Sequence, residues 1–148
     1  MAFHFPLEAV LHLRKSLEHQ QELRLRAANQ QVVRVRRLIE QMEGRRQQLH
    51  SAQTQELSSG TTVAELRFGL LCESEVLRHR RVLEQALARL QQLREQQREI
   101  FRQARRARET LESVRDRQFR LHQKEAARRE QRNLDDLFLL RREYLRRS

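Results

Sequence analysis

Between Leu83 and Leu121, apolar residues recur in steps of three and four: Leu83, Ala86, Leu90, Leu93, Ile100, Ala104, Ala107, Leu111, Val114 and Leu121. Only Gln97 and Gln118 interrupt the series. A repeat averaging 3.5 residues drifts around a straight helix of 3.6 residues per turn, so a helix that carries it must wind around a partner. The spacing predicts a coiled-coil strand. A second seam begins after Pro6 and runs through Leu7, Val10, Leu17, Gln21, Leu25, Ala28, Val32, Val35, Ile39 and Met42. One extra residue between Leu17 and Leu25 relaxes its supercoil locally. Pro6 suits a first helical turn, where its missing N–H would find no partner anyway.

The one strong break between the seams is Ser58-Ser59-Gly60-Thr61-Thr62. Thr62 and Glu65 after it make a T-x-x-E capping box, in which each residue satisfies an orphan N–H at a helix start. The pattern therefore predicts helices over 7–57 and 63–142, joined by a turn at 58–62. Their lengths would be about 75 Å and about 120 Å. The expected fold is all-α: an antiparallel coiled-coil hairpin, forming one domain over 1–148, with the longer second helix overhanging.

Antiparallel pairing holds the total of two facing residue numbers nearly constant. Val10 with Leu111, Ala28 with Leu93, and Ile39 with Leu83 agree on about 121, twice the turn position. The same register sets Met42 against His79 and Arg46 against Val76, where the seam weakens. It exhausts the first helix near Val114. Residues 119–145 are thus expected to overhang without an intrachain partner, and an unpacked helix gains little stability alone.

Two stretches carry more apolar surface than one seam needs. Leu134, Leu137, Phe138 and Leu140 share one side of the overhang with Arg141. They could fold back on the hairpin, zip a dimer, or dock into a groove of another protein, and the helix-in-groove mode is preferred. Near the turn, Leu66, Phe68, Leu70, Leu71, Val76 and Leu77 cover more than one helix face, so Phe68 and Leu71 are candidates for a second contact surface.

Composition agrees with long helices: the 148 residues hold 3 Gly, 1 Pro and no Trp. The net charge of +11 comes from 31 basic residues, all arginine except Lys15 and Lys124. It divides as +3 over 1–62, +1 over 63–97 and +7 over 98–148. Such a field speeds association with an acidic partner of any class. Arg105-Arg106-x-Arg108, Arg115-x-Arg117 and Arg128-Arg129 raise nucleic-acid binding, but acids are interspersed and stacking aromatics are few. No direct nucleic-acid contact is expected.

Cys72 is alone, so no intramolecular disulfide is implied. No apolar run reaches the roughly 18 residues of a membrane span, and Met1 to Leu7 lacks the layout of a secretion signal. The expectation is a soluble cytoplasmic chain with no transmembrane segment. His4, His12, His19, His50, His79 and His122 include no i, i+4 pair, so no metal site is expected. No phosphate loop, nucleophile elbow or Ser/His/Asp set is present, and neither cofactor nor enzymatic activity is expected.

Three segments carry a family resemblance. The opening Phe3-His4-Phe5-Pro6-Leu7-Glu8-Ala9-Val10-Leu11-His12-Leu13-Arg14, the turn around Gly60, and the closing Glu130-Gln131-Arg132-Asn133-Leu134-Asp135-Asp136 resemble the FliJ family of flagellar type III export proteins. The virulence-secretion counterpart is the YscO family. Asp135-Asp136 stands where an Asp-Glu pair is more usual, which leaves the charge intact.

The resemblance implies a non-catalytic stalk, similar to the gamma subunit of rotary ATPases. Its terminal end would sit in the hexameric export ATPase and promote assembly and activity. Its tip would reach an export-gate membrane protein, with export chaperones as further partners, at the cytoplasmic side of the inner membrane. Carried over by position, the ATPase-binding candidates are Phe3, Phe5, Leu7, Leu11, Arg14, Leu134, Asp135, Leu137, Phe138 and Arg141. The gate-binding candidates are Met42, Arg46, Leu49, Phe68, Leu71, Val76 and His79. The competing reading is an Arg-rich coiled-coil scaffold that self-associates or binds nucleic acid.

Overall fold

The structure is a computed structural model that describes residues 2–147. It contains two helices, α1 at Glu8–Ser59 and α2 at Val63–Arg147, and no strand among the described residues. The architecture is an all-α helical hairpin. By contact it divides into two compact units, Met1–Glu18 with Gln103–Ser148 and His19–Arg102.

The turn belongs to the second unit. Gly60, at φ 87°, takes the left-handed conformation that stops α1, a geometry a Cβ would strain. The hydroxyls of Ser58 and Ser59 donate to the Gln55 and Glu56 carbonyls at 2.6 and 3.1 Å. Thr62 then opens α2. Its N–H donates to Glu65 Oε2 at 2.9 Å, its hydroxyl donates to the same oxygen at 2.9 Å, and Glu65 N–H returns a longer bond at 3.4 Å. These bonds, the Thr62 N–H first, hold the Glu65 carboxyl below its ordinary range.

Elsewhere in that unit, Val32 is fully buried in the seam. Gln21 and Gln97 meet across it, Gln97 Nε2 donating to Gln21 Oε1 at 2.7 Å. Two residues that interrupt the apolar pattern thus satisfy each other. Arg80 bridges to Glu43, and Gln53 presses against Gly69, where a Cβ would collide.

In the first unit, Phe5 and Leu11 are the buried pair. An arm of residues 2–5 leads into the turn at Pro6 and Leu7, and Glu8 N–H bonds the Phe5 carbonyl at 3.2 Å. Arg108 lies along the seam and forks: Nε and Nη2 reach Glu18 at 2.6 and 3.1 Å, and Nη1 reaches Glu112 at 2.5 Å. Lys15 adds a contact to Glu112 at 3.4 Å, and Arg115 one to Glu8 at 3.5 Å. Hydrogen bonding from Arg108 is the main cause that holds the Glu112 carboxyl below its ordinary value of 4.5.

One layer of the expected seam is corrected. Leu83, Leu90, Gln97, Ala104 and Leu111 do turn toward α1, but Leu93 and Ile100 are 56% and 46% exposed. At Leu93, Ile100 and Val114 the C-terminal neighbours Arg94, Phe101 and Arg115 are half-buried instead, while Ala86 and Ala107 are half-buried together with Leu87 and Arg108. On α1, Val10 is likewise 40% exposed beside a buried Leu11. At those three steps of α2 the seam runs one residue further around the helix. Arginine stems line it while their charged heads reach out to carboxylates.

Truncating a buried seam leucine removes contacts that a two-helix face cannot rebuild. Leu11→Ala should lower the unfolding free energy by about 2 kcal/mol, the low end for a large-to-small change because solvent can enter the space left beside a two-helix seam. Urea unfolding followed by circular dichroism checks it.

The Glu112 contribution has a defined pH window. A depressed folded-state pKa stabilises above the unfolded value and loses that effect as pH falls through the folded one. Arg108→Met should therefore destabilise the chain at pH 7, and its difference from the parent should shrink as pH falls below about 4.5. Unfolding free energies measured from pH 7 to pH 3 test this.

Candidate functional site

Each unit carries one of the two candidate surfaces. In the first, the arm closes onto α2: the Phe3 ring sits edge-on to Phe119, centroids 5.2 Å apart at 70°, and 5.6 Å from the His122 ring. Such edge-to-face pairs place the positive ring edge on the negative ring face. Phe3 is half-buried by this contact, while Phe5 and Leu11 are enclosed. These three shape the end of the hairpin, and Leu7 and Arg14 face outward.

Beyond His122, every described residue of α2 is exposed. Leu134, Asp135, Leu137, Phe138 and Arg141 lie on this segment, the first of them about 22 Å along the helix from Phe119. They are not brought against Phe3–Arg14. Phe138 and Arg141 border a shallow concavity with Arg142, Leu145 and Arg146. The segment is helical throughout, held by local bonds such as Gln131 Nε2 to Asp135 Oδ1 at 3.0 Å.

The second unit brings its candidates together in two open grooves. Met42, Val76 and His79 line one, with Arg45, Glu75 and Val82. Leu49 and Phe68 line the other, a volume of about 410 Å³ whose floor is Ala52, Ala64, Gly69 and Cys72. Arg46 lies between Glu43 at 3.7 Å and Glu73 at 3.9 Å. Leu71 borders neither groove and is 64% exposed.

Small residues and apolar walls suit the groove between Leu49 and Phe68 to receiving a side chain or helix. Among the described residues no group of three His, Cys, Asp or Glu could hold a metal ion, and no helix is long and apolar enough to cross a membrane. Sequence reasoning did not find the Phe119 and His122 clasp. The signal was present in the register, since Phe3 and Phe119 are equally distant in number from Thr61.

A model of the family described as the flagellar FliJ protein matches residues 3–147 of the chain. No curated protein and no solved structure matches it.

The clasp predicts a local readout. Phe3→Ala removes an aromatic pair worth about 1 kcal/mol. Amide exchange at Glu8 and Leu11, which donate to the Phe5 and Leu7 carbonyls, should quicken severalfold, with exchange at Val32 unchanged.

Proposed function

The chain belongs to the FliJ family of flagellar proteins, and from that premise we propose that it is the stalk that couples the export ATPase to the export gate. The family makes it a non-enzymatic component of the flagellar export apparatus. In the proposed arrangement, the exposed segment of α2 and the arm dock in the hexameric export ATPase. The groove-bearing unit contacts an export-gate membrane protein, and export chaperones share the exposed faces. This would place the protein in the cytoplasm, peripheral to the inner membrane.

The observation that supports docking is the segment past His122: an exposed, preformed helix with Leu134, Leu137 and Phe138 outward, 62%, 62% and 67% exposed. A helix presenting an apolar stripe without an intrachain partner is what a groove or ring lumen receives. The +7 over 98–148 would steer such a helix toward an acidic lumen. On the groove-bearing unit, Phe68 is the exposed aromatic anchor, of the kind that dominates interface energetics.

ATP turnover by the cognate export ATPase is the test. Full-length protein should raise the rate severalfold, and truncation after Gln131 should remove the effect while the remaining hairpin stays helical by circular dichroism. Phe138→Glu should reproduce the loss without shortening the chain. Turnover that full-length protein leaves unchanged overturns the stalk reading.

A further inference from the structure

The apolar face of the terminal segment is wider than a groove-bound stripe, and its charges are ordered along the axis. At 100° per residue, Leu134, Leu137, Phe138, Leu140, Tyr144 and Leu145 fall within about 160° of one another, with Arg141 the single charge among them. Ahead of the midpoint stand Asp135 and Asp136, and behind it Arg141, Arg142, Arg146 and Arg147. Among the described residues, Asp136, Arg141 and Arg142 have no ion-pair partner, and Asp135 accepts only the neutral Gln131 amide.

We propose that this face is covered by a second copy of the chain, running antiparallel about a two-fold axis between Leu139 and Leu140. A segment that is acidic, then apolar, then basic is complementary to itself only when reversed. In that register Leu134 packs on Leu145 of the second copy, and Arg141 lies over the ring of the second copy's Phe138, where a guanidinium and an aromatic face attract. Asp135 meets Arg142 of the second copy on the flank, and the two-fold axis repeats every one of these contacts. Parallel pairing would set Asp135 against Asp135 and Arg142 against Arg142.

A uniformly anionic occupant, such as a lipid surface or nucleic acid, is the poorer match. It would meet Asp135, Asp136 and Glu143 together with the arginines, and residues 134–147 carry a net charge of only +1. The contact spans three turns of each helix, below the area of a standard stable interface, so a dimer in the range of tens of micromolar to about a millimolar is expected. This pairing covers the face proposed to dock in the ATPase, so the two occupants exclude each other, and it is measured on the chain alone.

Sedimentation equilibrium of the full chain under reducing conditions, which excludes Cys72 cross-links, provides the test from about 10 μM to 1 mM. A concentration-dependent rise above 18.0 kDa toward twice that mass is expected. Asp135→Arg and Arg142→Asp should each weaken the dimer about tenfold, since the two-fold axis makes every change count twice. The double variant should return to within about threefold of the parent. A chain that stays monomeric to 1 mM overturns the proposal, including one that then binds vesicles of anionic lipid. So does a dimer indifferent to the single changes, or one the double change fails to restore.

Discussion

Two helices in contact along one face can enclose few side chains, and the rest of this protein is shaped by that constraint. Phe5, Leu11 and Val32 are the only buried apolar side chains among the described residues. The remainder of the seam is half-buried, so its apolar contacts favour association of the helices without fixing how far one slides along the other. Register has to come from groups that tolerate only one opposite number. The Gln21–Gln97 pair and the Arg108 fork on Glu18 and Glu112 are such groups, one in each unit. A slip of one turn would leave a half-buried amide or guanidinium without its acceptors, which costs more than a displaced leucine.

This division of labour explains what the sequence showed and what it hid. The helices and their turn were legible because local chemistry specifies them: Gly60 alone can adopt the left-handed stop at no steric cost, and Thr62 with Glu65 caps the start of α2. The antiparallel register was legible because the turn fixes where numbering reverses. The alternate seam layer was not, since counting apolar residues favours Leu93 over Arg94 and Val114 over Arg115. An arginine registers as polar in that count, although its stem covers seam surface as a leucine does.

The candidate surfaces were legible in the same uneven way. Met42, Val76 and His79 share a groove, as facing positions in the register imply. Leu49 and Phe68 share another, which Gln53 and Gly69 also line where they press together. Phe5 and Leu11 looked like contact residues from their place in a motif, yet they are enclosed. A motif names the residues an end requires without separating those that build it from those that touch a partner, and only burial makes that distinction.

The terminal segment raises the opposite question, since it is helical without packing. Residues 115–148 contain no valine, isoleucine, threonine, glycine or proline, and consist mainly of Arg, Leu, Glu, Gln and Ala. These are the residues that lose least on entering a helix. Local pairs at i, i+4, Gln131 to Asp135 and Arg147 to Glu143 at 3.8 Å, add a few tenths of a kcal/mol each. Propensity therefore supplies what tertiary contacts supply elsewhere in the chain. A partner that meets a segment already helical has little backbone entropy left to remove, and more of the contact energy of Leu134, Leu137 and Phe138 appears as affinity. Helix formers on the polar side and leucines on the other are thus two parts of one arrangement. The first keeps the segment straight in the absence of a partner, and the second makes binding worthwhile when one arrives.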